Sequence, residues 1–264
     1  MTPRSSRPPG KLRPLLAWLG LALFVASFVW WQLLPERAVL PAMVTVPRPA
    51  AGLGLVIIDA GHGGQDSGTM RSGLMEKDLA LDVTRRVDRI LQNKGVRTLL
   101  TRAGDNYVSL AGRAAAANRE ENALFVSIHF DEAKPTATGV ETYYAAQQSS
   151  APLLASWLPF LRDAFQQTNF ESQSLAGFVQ EALVARTHAV NRGTRAEQFY
   201  VITNVRHPAV LVEGGFLTNN EDIARLGTPE YREALAAAIA DGVMKYRDVM
   251  RDRQRPISAQ PPAT

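Results

Sequence analysis

The sequence predicts a single α/β domain of three layers, with a mainly parallel central sheet and helices on both faces, preceded by an N-terminal transmembrane helix. Three observations predict it. Apolar strand-like runs alternate with helical patterns between Leu55 and Met250. The first run is continuously apolar, as in a strand buried on both faces. A separate uncharged run, Leu15–Leu34, stands ahead of the alternation.

That run (LLAWLGLALFVASFVWWQLL) is 20 residues long. At about 1.5 Å rise per residue a helix of this length spans a hydrocarbon core of about 30 Å. Arg4, Arg7, Lys11 and Arg13 precede it with no acid between them. The positive-inside rule then keeps residues 1–14 cytoplasmic and sends the rest of the chain outward. Trp30 and Trp31 lie near the far end, where aromatic rings favour the headgroup region. A cleaved signal peptide is the alternative, giving a secreted protein. Its apolar region is shorter, about 7–15 residues, and ends in a small-x-small site. The length here favours an uncleaved signal anchor. Pro35, Pro41, Pro47 and Pro49 make residues 35–54 an extended tether. Residues 251–264, rich in Pro, Ala, Ser and Gln from Pro256 onward, read as a disordered tail.

The elements of the body, residues 55–250, follow in order. Leu55–Asp59 is the first strand and runs into Ala60-Gly61-His62-Gly63-Gly64. From Glu76 to Lys94 the pattern is helical. Leu79, Val83, Val87, Ile90 and Leu91 share a face, and Gly95 supplies the stop. Val96–Thr101 is a second strand. Ser109 caps a helix through Arg113 to about Glu120. Leu124–Phe130 and Val140–Ala145 are the third and fourth strands. Helical stretches at about 151–167 and 173–187 come next. Phe199–Thr203 and Ala209–Glu213 read as short strands, and a last helix covers Tyr231–Met250.

Composition narrows the chemistry. There is no cysteine, so disulfides, thiolate nucleophiles and Cys-ligated metals are excluded. The net charge of +4 equals the charge of residues 1–14 alone. The folded part carries no basic excess, and no nucleic-acid partner is expected.

In open α/β sheets, sites form beyond the carboxyl ends of the strands. His62 follows the first strand, His129 ends the third, Glu213 ends the strand through Val210-Leu211-Val212, and Glu76 opens the first long helix. Two imidazoles and a carboxylate from separate elements make a plausible zinc set, with a further carboxylate as general base. Each residue also has a plain reading: a turn histidine, a hydrogen-bonded core histidine, a first-turn acid. Spacing leaves these open, because no H-E-x-x-H is present. Glu213 is the least ordinary, since a carboxylate ending an apolar strand is costly without a partner. His188 reads as a surface helix residue and His207 as a loop residue near the cleft. Arg102 and Arg113 read as structural ion-pair formers.

Four blocks at these positions resemble the zinc-dependent N-acetylmuramoyl-L-alanine amidases of bacterial cell walls, amidase type 3. They are Ile57 to Gly68 (IIDAGHGGQDSG), Glu76-Lys77-Asp78-Leu79, Ser127-Ile128-His129, and Pro208 to Asn219 (PAVLVEGGFLTN). Leu100-Thr101-Arg102, Leu110 to Asn118, Gly139 to Tyr144 and Asn191-Arg192-Gly193 support them in the same order. The resemblance implies that His62, Glu76 and His129 ligate Zn2+ and that Glu213 is the catalytic carboxylate. It implies hydrolysis of the amide between N-acetylmuramic acid and the L-alanine of the stem peptide, on the periplasmic or cell-wall side of the inner membrane. A catalytically silent muropeptide-binding regulator and a zinc peptidase of related fold are the alternatives.

Two departures stand out. Ser67 occupies a position where the family usually has Pro. Phe130-Asp131 replaces a small residue and Asn, so Phe130 is expected to narrow the cleft and Asp131 to add negative charge near the metal. Residues 147–171 read as an inserted apolar helix. Some relatives carry a helix that blocks the site until a partner displaces it. This segment is therefore a candidate lid for an activator protein, against the plainer reading of extra core packing.

Overall fold

The structure, a computed structural model, describes residues 54–130, 134, 136–149 and 166–253. The span Leu15–Leu34, residues 35–53 of the tether, Asp131 and the tail from residue 254 lie outside them. So does most of the inserted segment, including Trp157. Among the described residues no helix is long and apolar enough to cross a membrane.

The sheet has six strands. In chain order these are β1 (Leu55–Ala60), β4 (Arg97–Leu100), β5 (Ala123–His129), β6 (Val140–Tyr144), β9 (Asn191–Ala196) and β10 (Ala209–Glu213). Their spatial order is β4-β1-β5-β10-β6-β9. The first four in that order run parallel. β6 is antiparallel to β10, and β9 is parallel to β6. The mainly parallel sheet expected from the sequence is present, with a reversed pair at one edge. β2 (Met70–Arg71) and β3 (Leu74–Met75) form a small hairpin outside it. Its two-residue turn, Ser72-Gly73, has positive φ at both positions, as a type I′ turn requires.

Helices cover both faces unequally. α1 (Glu76–Asn93), α3 (Phe170–Thr187) and α6 (Pro229–Arg253) pack on one side. α2 (Leu110–Asn118) and the single turn α4 (Tyr200–Thr203) cover the other. A short α5 (Asn220–Leu226) links β10 to α6. The period-2 alternation of strands decides which side each residue serves. Leu124, Val126 and Ile128 enter the thick core, whereas Phe125 enters the thin one. α1 buries the face expected of it, through Leu79, Val83, Val87 and Leu91. α3 and α6 meet closely at Gly242, where a β-carbon would come within 2.6 Å of Val179 Cα.

Four expectations need correction. Phe199–Thr203 is no strand; Tyr200–Thr203 forms one helical turn that buries Val201 and Ile202. A short apolar run fits either state, and here a turn places both side chains on the thin core. The helix expected near 151–167 does not extend through its end. Gln166–Thr168 (β8) pairs antiparallel with Gln147–Ser149 (β7), because polar Gln and Thr give no apolar helical face. Phe130 does not narrow the cleft. It is fully buried in the thick core against Gly214, since one step beyond His129 points to the opposite face. His207 lies away from the cleft, with Nε2 3.1 Å from the carbonyls of Ala117 and Glu120 at the end of α2. It precedes β10, so it sits at the strand end opposite Glu213. His188 is the left-handed cap of α3.

Candidate metal centre

His129 and Glu213 are register partners on the neighbouring parallel strands β5 and β10. Both follow thin-core residues, Phe125 and Leu211, by an even number of steps. Their side chains therefore project on the thin face, at the strand ends that α2 and α4 leave uncovered. The loop after β1 brings His62 to the same place, and the first residue of α1 brings Glu76. Donor atoms of His62, Glu76 and His129 all lie within 4.8 Å of one another. Glu76 Oε1 is 2.9 Å from His62 Nε2 and 2.9 Å from His129 Nδ1. The two rings meet edge to face, with centroids 5.0 Å apart.

The charge pattern suits a cation. Burial alone would raise the Glu76 pKa, but hydrogen bonds from His129 and His62 outweigh it and hold the group well below the carboxylate range. Thr69 and Phe130 donate backbone N–H groups to its two oxygens, at 2.9 and 3.2 Å. Burial would lower the His62 pKa; Glu76 and Asp66 outweigh it and raise it. Asp66 Oδ1 stands 2.9 Å from His62 Nδ1, behind the ring, while Nε2 faces Glu76. An outer carboxylate that orients a ligating imidazole is a common feature of metal sites. Tetrahedral ligands about 2.0–2.1 Å from zinc lie roughly 3.3 Å apart; here two separations are 2.9 Å and all the donor atoms lie within 4.8 Å of one another. The residues present fit that ion.

The cradle is made by missing side chains. A β-carbon on Gly61 would fall 2.5 Å from the His129 ring, and one on Gly68 2.5 Å from Glu76 Oε2. His62 itself adopts the left-handed region, φ 57°. For a non-glycine residue that costs on the order of 1–3 kcal/mol and persists when the surroundings enforce it. Two buried arginines enforce it. Arg113 donates to the His62 carbonyl at 2.6 Å and to Asp59 Oδ1 at 2.7 Å. Arg102 donates to the carbonyls of Ala60, Gly61 and Lys77 at 3.0, 2.7 and 2.8 Å. Asp59 also accepts from Thr101 and Ser127. The two arginines are structural, as expected, and their target is the backbone of the loop that carries His62.

Glu213 is 4% exposed and lies outside the three-residue cluster. Its backbone is fixed on both sides. Gly214 N–H donates to the His129 carbonyl at 3.0 Å. Buried Asp222 accepts from Phe216 N, Gly139 N and the Thr138 hydroxyl, tying the loop after β10 to the start of β6. On β6, Glu141 is the register partner of Glu213 and is 1% exposed. It pairs with Arg192 Nε at 3.1 Å and with Arg195 Nε. Burial first, then the Glu141 and Glu213 carboxylates, push the Tyr143 phenol well above its ordinary range. Sequence reasoning assigns no role to Asp59, Asp66 or Glu141. An acidic residue inside an otherwise apolar strand is the available signal for Asp59 and Glu141.

Comparison with known proteins agrees with this geometry. The sequence profile of the N-acetylmuramoyl-L-alanine amidase family matches residues 56–245. The amidase AmiA of Escherichia coli is 31% identical over 225 residues, covering 75% of this chain and 78% of that protein. The solved amidase AmiC2 of Nostoc punctiforme is 37% identical with a TM-score of 0.63, covering 75% of this chain and 99% of that one. The CwlD amidase of Clostridioides difficile, solved in complex with the GerS lipoprotein, is 25% identical with a TM-score of 0.62, covering 74% and 99%. From its fold, its His/Glu cluster and these likenesses, the chain belongs to the N-acetylmuramoyl-L-alanine amidase family, hydrolases of bacterial peptidoglycan.

Proposed function

We propose that this amidase holds a zinc ion with His62, Glu76 and His129 and uses Glu213 as the proton carrier for cleavage of the amide between N-acetylmuramic acid and L-alanine. The clustering of three ligand atoms beside a buried fourth carboxylate supports this reading most directly. When bound, zinc supplies Lewis acidity that polarises a carbonyl and lowers the pKa of water to about 7. The chain's residues do the rest. Glu213 takes a proton from the attacking water as the new C–O bond forms. It delivers that proton to the alanine nitrogen as the C–N bond breaks. Arg113 and Arg102 hold the loop that carries His62 through its backbone carbonyls throughout.

The test is product analysis. The full chain, incubated with purified peptidoglycan, should release stem peptides with a free L-alanine amino terminus. A chelator should stop release, and added zinc should restore it. Metal analysis of the purified chain should give about one zinc per molecule. Cuts within the stem would instead indicate the peptidase, and binding without products the regulator. The intact mass of the same preparation checks the anchor. We read Leu15–Leu34 as an uncleaved single-pass span, supported by its basic flank, which requires the full 28.8 kDa. A smaller mass lacking the N-terminus would mean a cleaved signal and a secreted enzyme.

We also read the inserted segment as a lid or docking element for an activator. β7 and β8 pair at its base, and Gln148 Nε2 donates to the carbonyls of Ile202 and His207 on the thin side of the sheet, at the strand end opposite Glu213. CwlD shows that a relative engages a lipoprotein. Replacing residues 150–165 by a short Gly-Ser turn should raise basal turnover several-fold. Unchanged turnover and unchanged response to partner proteins would leave the segment as packing.

A further inference from the structure

We propose that Arg192 and Arg195, seated on buried Glu141, form a cationic subsite that receives the free α-carboxylate of the second residue of the stem peptide. The proposal rests on the amidase reading and adds the part of the substrate that selectivity reads.

Register gives the position. Glu141 faces Glu213 across the antiparallel β6–β10 pair, and Glu213 neighbours His129 on β5. Adjacent strands stand about 4.8 Å apart, so Glu141 lies about 10 Å from the metal ligand along the sheet edge. Tyr143 and Arg195 are themselves register partners on the same face, two residues back from that end and level with Leu211. An extended peptide advances about 3.5 Å per residue. The second residue of a stem peptide running from the metal toward β9 therefore places its α-carboxylate about 8 Å from the scissile bond, within reach of a long guanidinium.

Charge gives the chemistry. A carboxylate as buried as Glu141 needs a cation, and one would suffice. Here two guanidiniums converge on it. The trio carries a surplus of one positive charge: Glu141 stands at the end of the sheet where substrate must lie, and Arg195 reaches it from two residues further in. Arg192 is further fixed by the Phe216 ring, 4.7 Å from its guanidinium carbon. Arg195 differs: its Nε lies against Glu141 Oε1 as an ion pair, yet its side chain is 52% exposed. A guanidinium anchored by a buried carboxylate and open to solvent is preorganised for a second carboxylate, with little rotamer entropy left to lose. The proximity of Glu213, an anion, makes this compensation useful, because an unscreened acidic cleft would repel an acidic peptide.

Two defined substrates test it: N-acetylmuramoyl-L-alanyl-D-isoglutamate, with the free α-carboxylate, and its isoglutamine counterpart, in which an amide replaces it. The full-length wild-type chain should cleave the acid with about tenfold higher kcat/KM than the amide, chiefly through KM, the usual scale for a hydrogen bond to a charged group. R195Q should collapse that ratio toward one, and R195K should restore part of it. Equal wild-type rates on the two substrates would overturn the proposal. So would an R195Q variant that keeps the wild-type ratio, even if it melts earlier, because Arg195 would then be structural only. Failure of the wild-type chain to cleave either substrate would overturn the amidase reading itself and the subsite with it.

Discussion

Glu213→Gln is expected to lower kcat by about 10³-fold while leaving bound zinc and KM within about twofold of wild type. The magnitude follows from removing one positioned acid–base group, which contributes about 10²–10⁴-fold. The separation of effects follows from the geometry. The donor atoms that could hold a metal belong to His62, Glu76 and His129, and Glu213 is the register partner of His129 on the next strand. An amide is isosteric with the carboxylate and keeps an acceptor oxygen, but it has no useful basicity. Burying an amide is also less costly than burying a charge, so the melting temperature should hold or rise slightly. Turnover, metal content and thermal unfolding measured on one preparation check all three points. Zinc lost together with activity would make Glu213 a ligand and move the proton carrier elsewhere. Activity within tenfold of wild type would remove Glu213 from the chemistry.

That residue also shows how far the sequence reaches. Glu213 is legible because an ionisable side chain ends a run of Ala209-Val210-Leu211-Val212, and strand ends are where α/β sites form. His129 is legible for the same reason. Glu76 and His62 are placed by their neighbours, a helix start and a glycine-rich turn, and their union across fourteen residues depends on family resemblance. The core is legible through periodicity, since continuous runs mark the central strands and a 3.6-residue pattern marks α1. The edge is not. β9 is Asn191–Ala196, a polar and glycine-containing stretch that becomes a strand by pairing with β6, with no apolar pattern of its own. Phe199–Thr203 carries an apolar pattern and folds as helix, because tertiary burial of two side chains needs one turn. Phe130 misleads because the face of a strand residue depends on register, which one step inverts. Glu141 acquires meaning when the antiparallel edge sets it opposite Glu213.

Removing Arg113 tests whether the ligand loop is imposed by the fold or merely tolerated by it. Arg113→Met keeps much of the side-chain volume and deletes the charge. The Arg113–Asp59 pair spans 2.7 Å, with the two side chains 3% and 1% exposed. Breaking such a pair from one side leaves an uncompensated buried carboxylate and costs about 3–5 kcal/mol. In a domain of this size about 1 kcal/mol corresponds to roughly 2–4 °C, so the melting temperature should fall by roughly 10 °C. Stability is half of the expected result. The same guanidinium satisfies the His62 carbonyl, and that residue holds a left-handed φ with no glycine to ease it. Without the bond His62 should relax toward ordinary backbone, and zinc affinity should drop about 10–100-fold, the usual scale for loss of an outer-sphere support. The double variant Asp59→Asn/Arg113→Met separates the two effects. The Asp59→Asn change removes the stranded charge; its one oxygen accepts from one of the Thr101 and Ser127 hydroxyls, which in the wild type bond separate carboxylate oxygens, and its amide N–H can donate to the other after that hydroxyl rotates, so much of the lost stability should return. Zinc affinity should not return, because nothing then grips the His62 carbonyl. Thermal unfolding of the apo chain and competition with a zinc chelator read the two quantities independently. If affinity recovered in step with stability, Arg113 would support the fold alone, and His62 would owe its conformation to the metal.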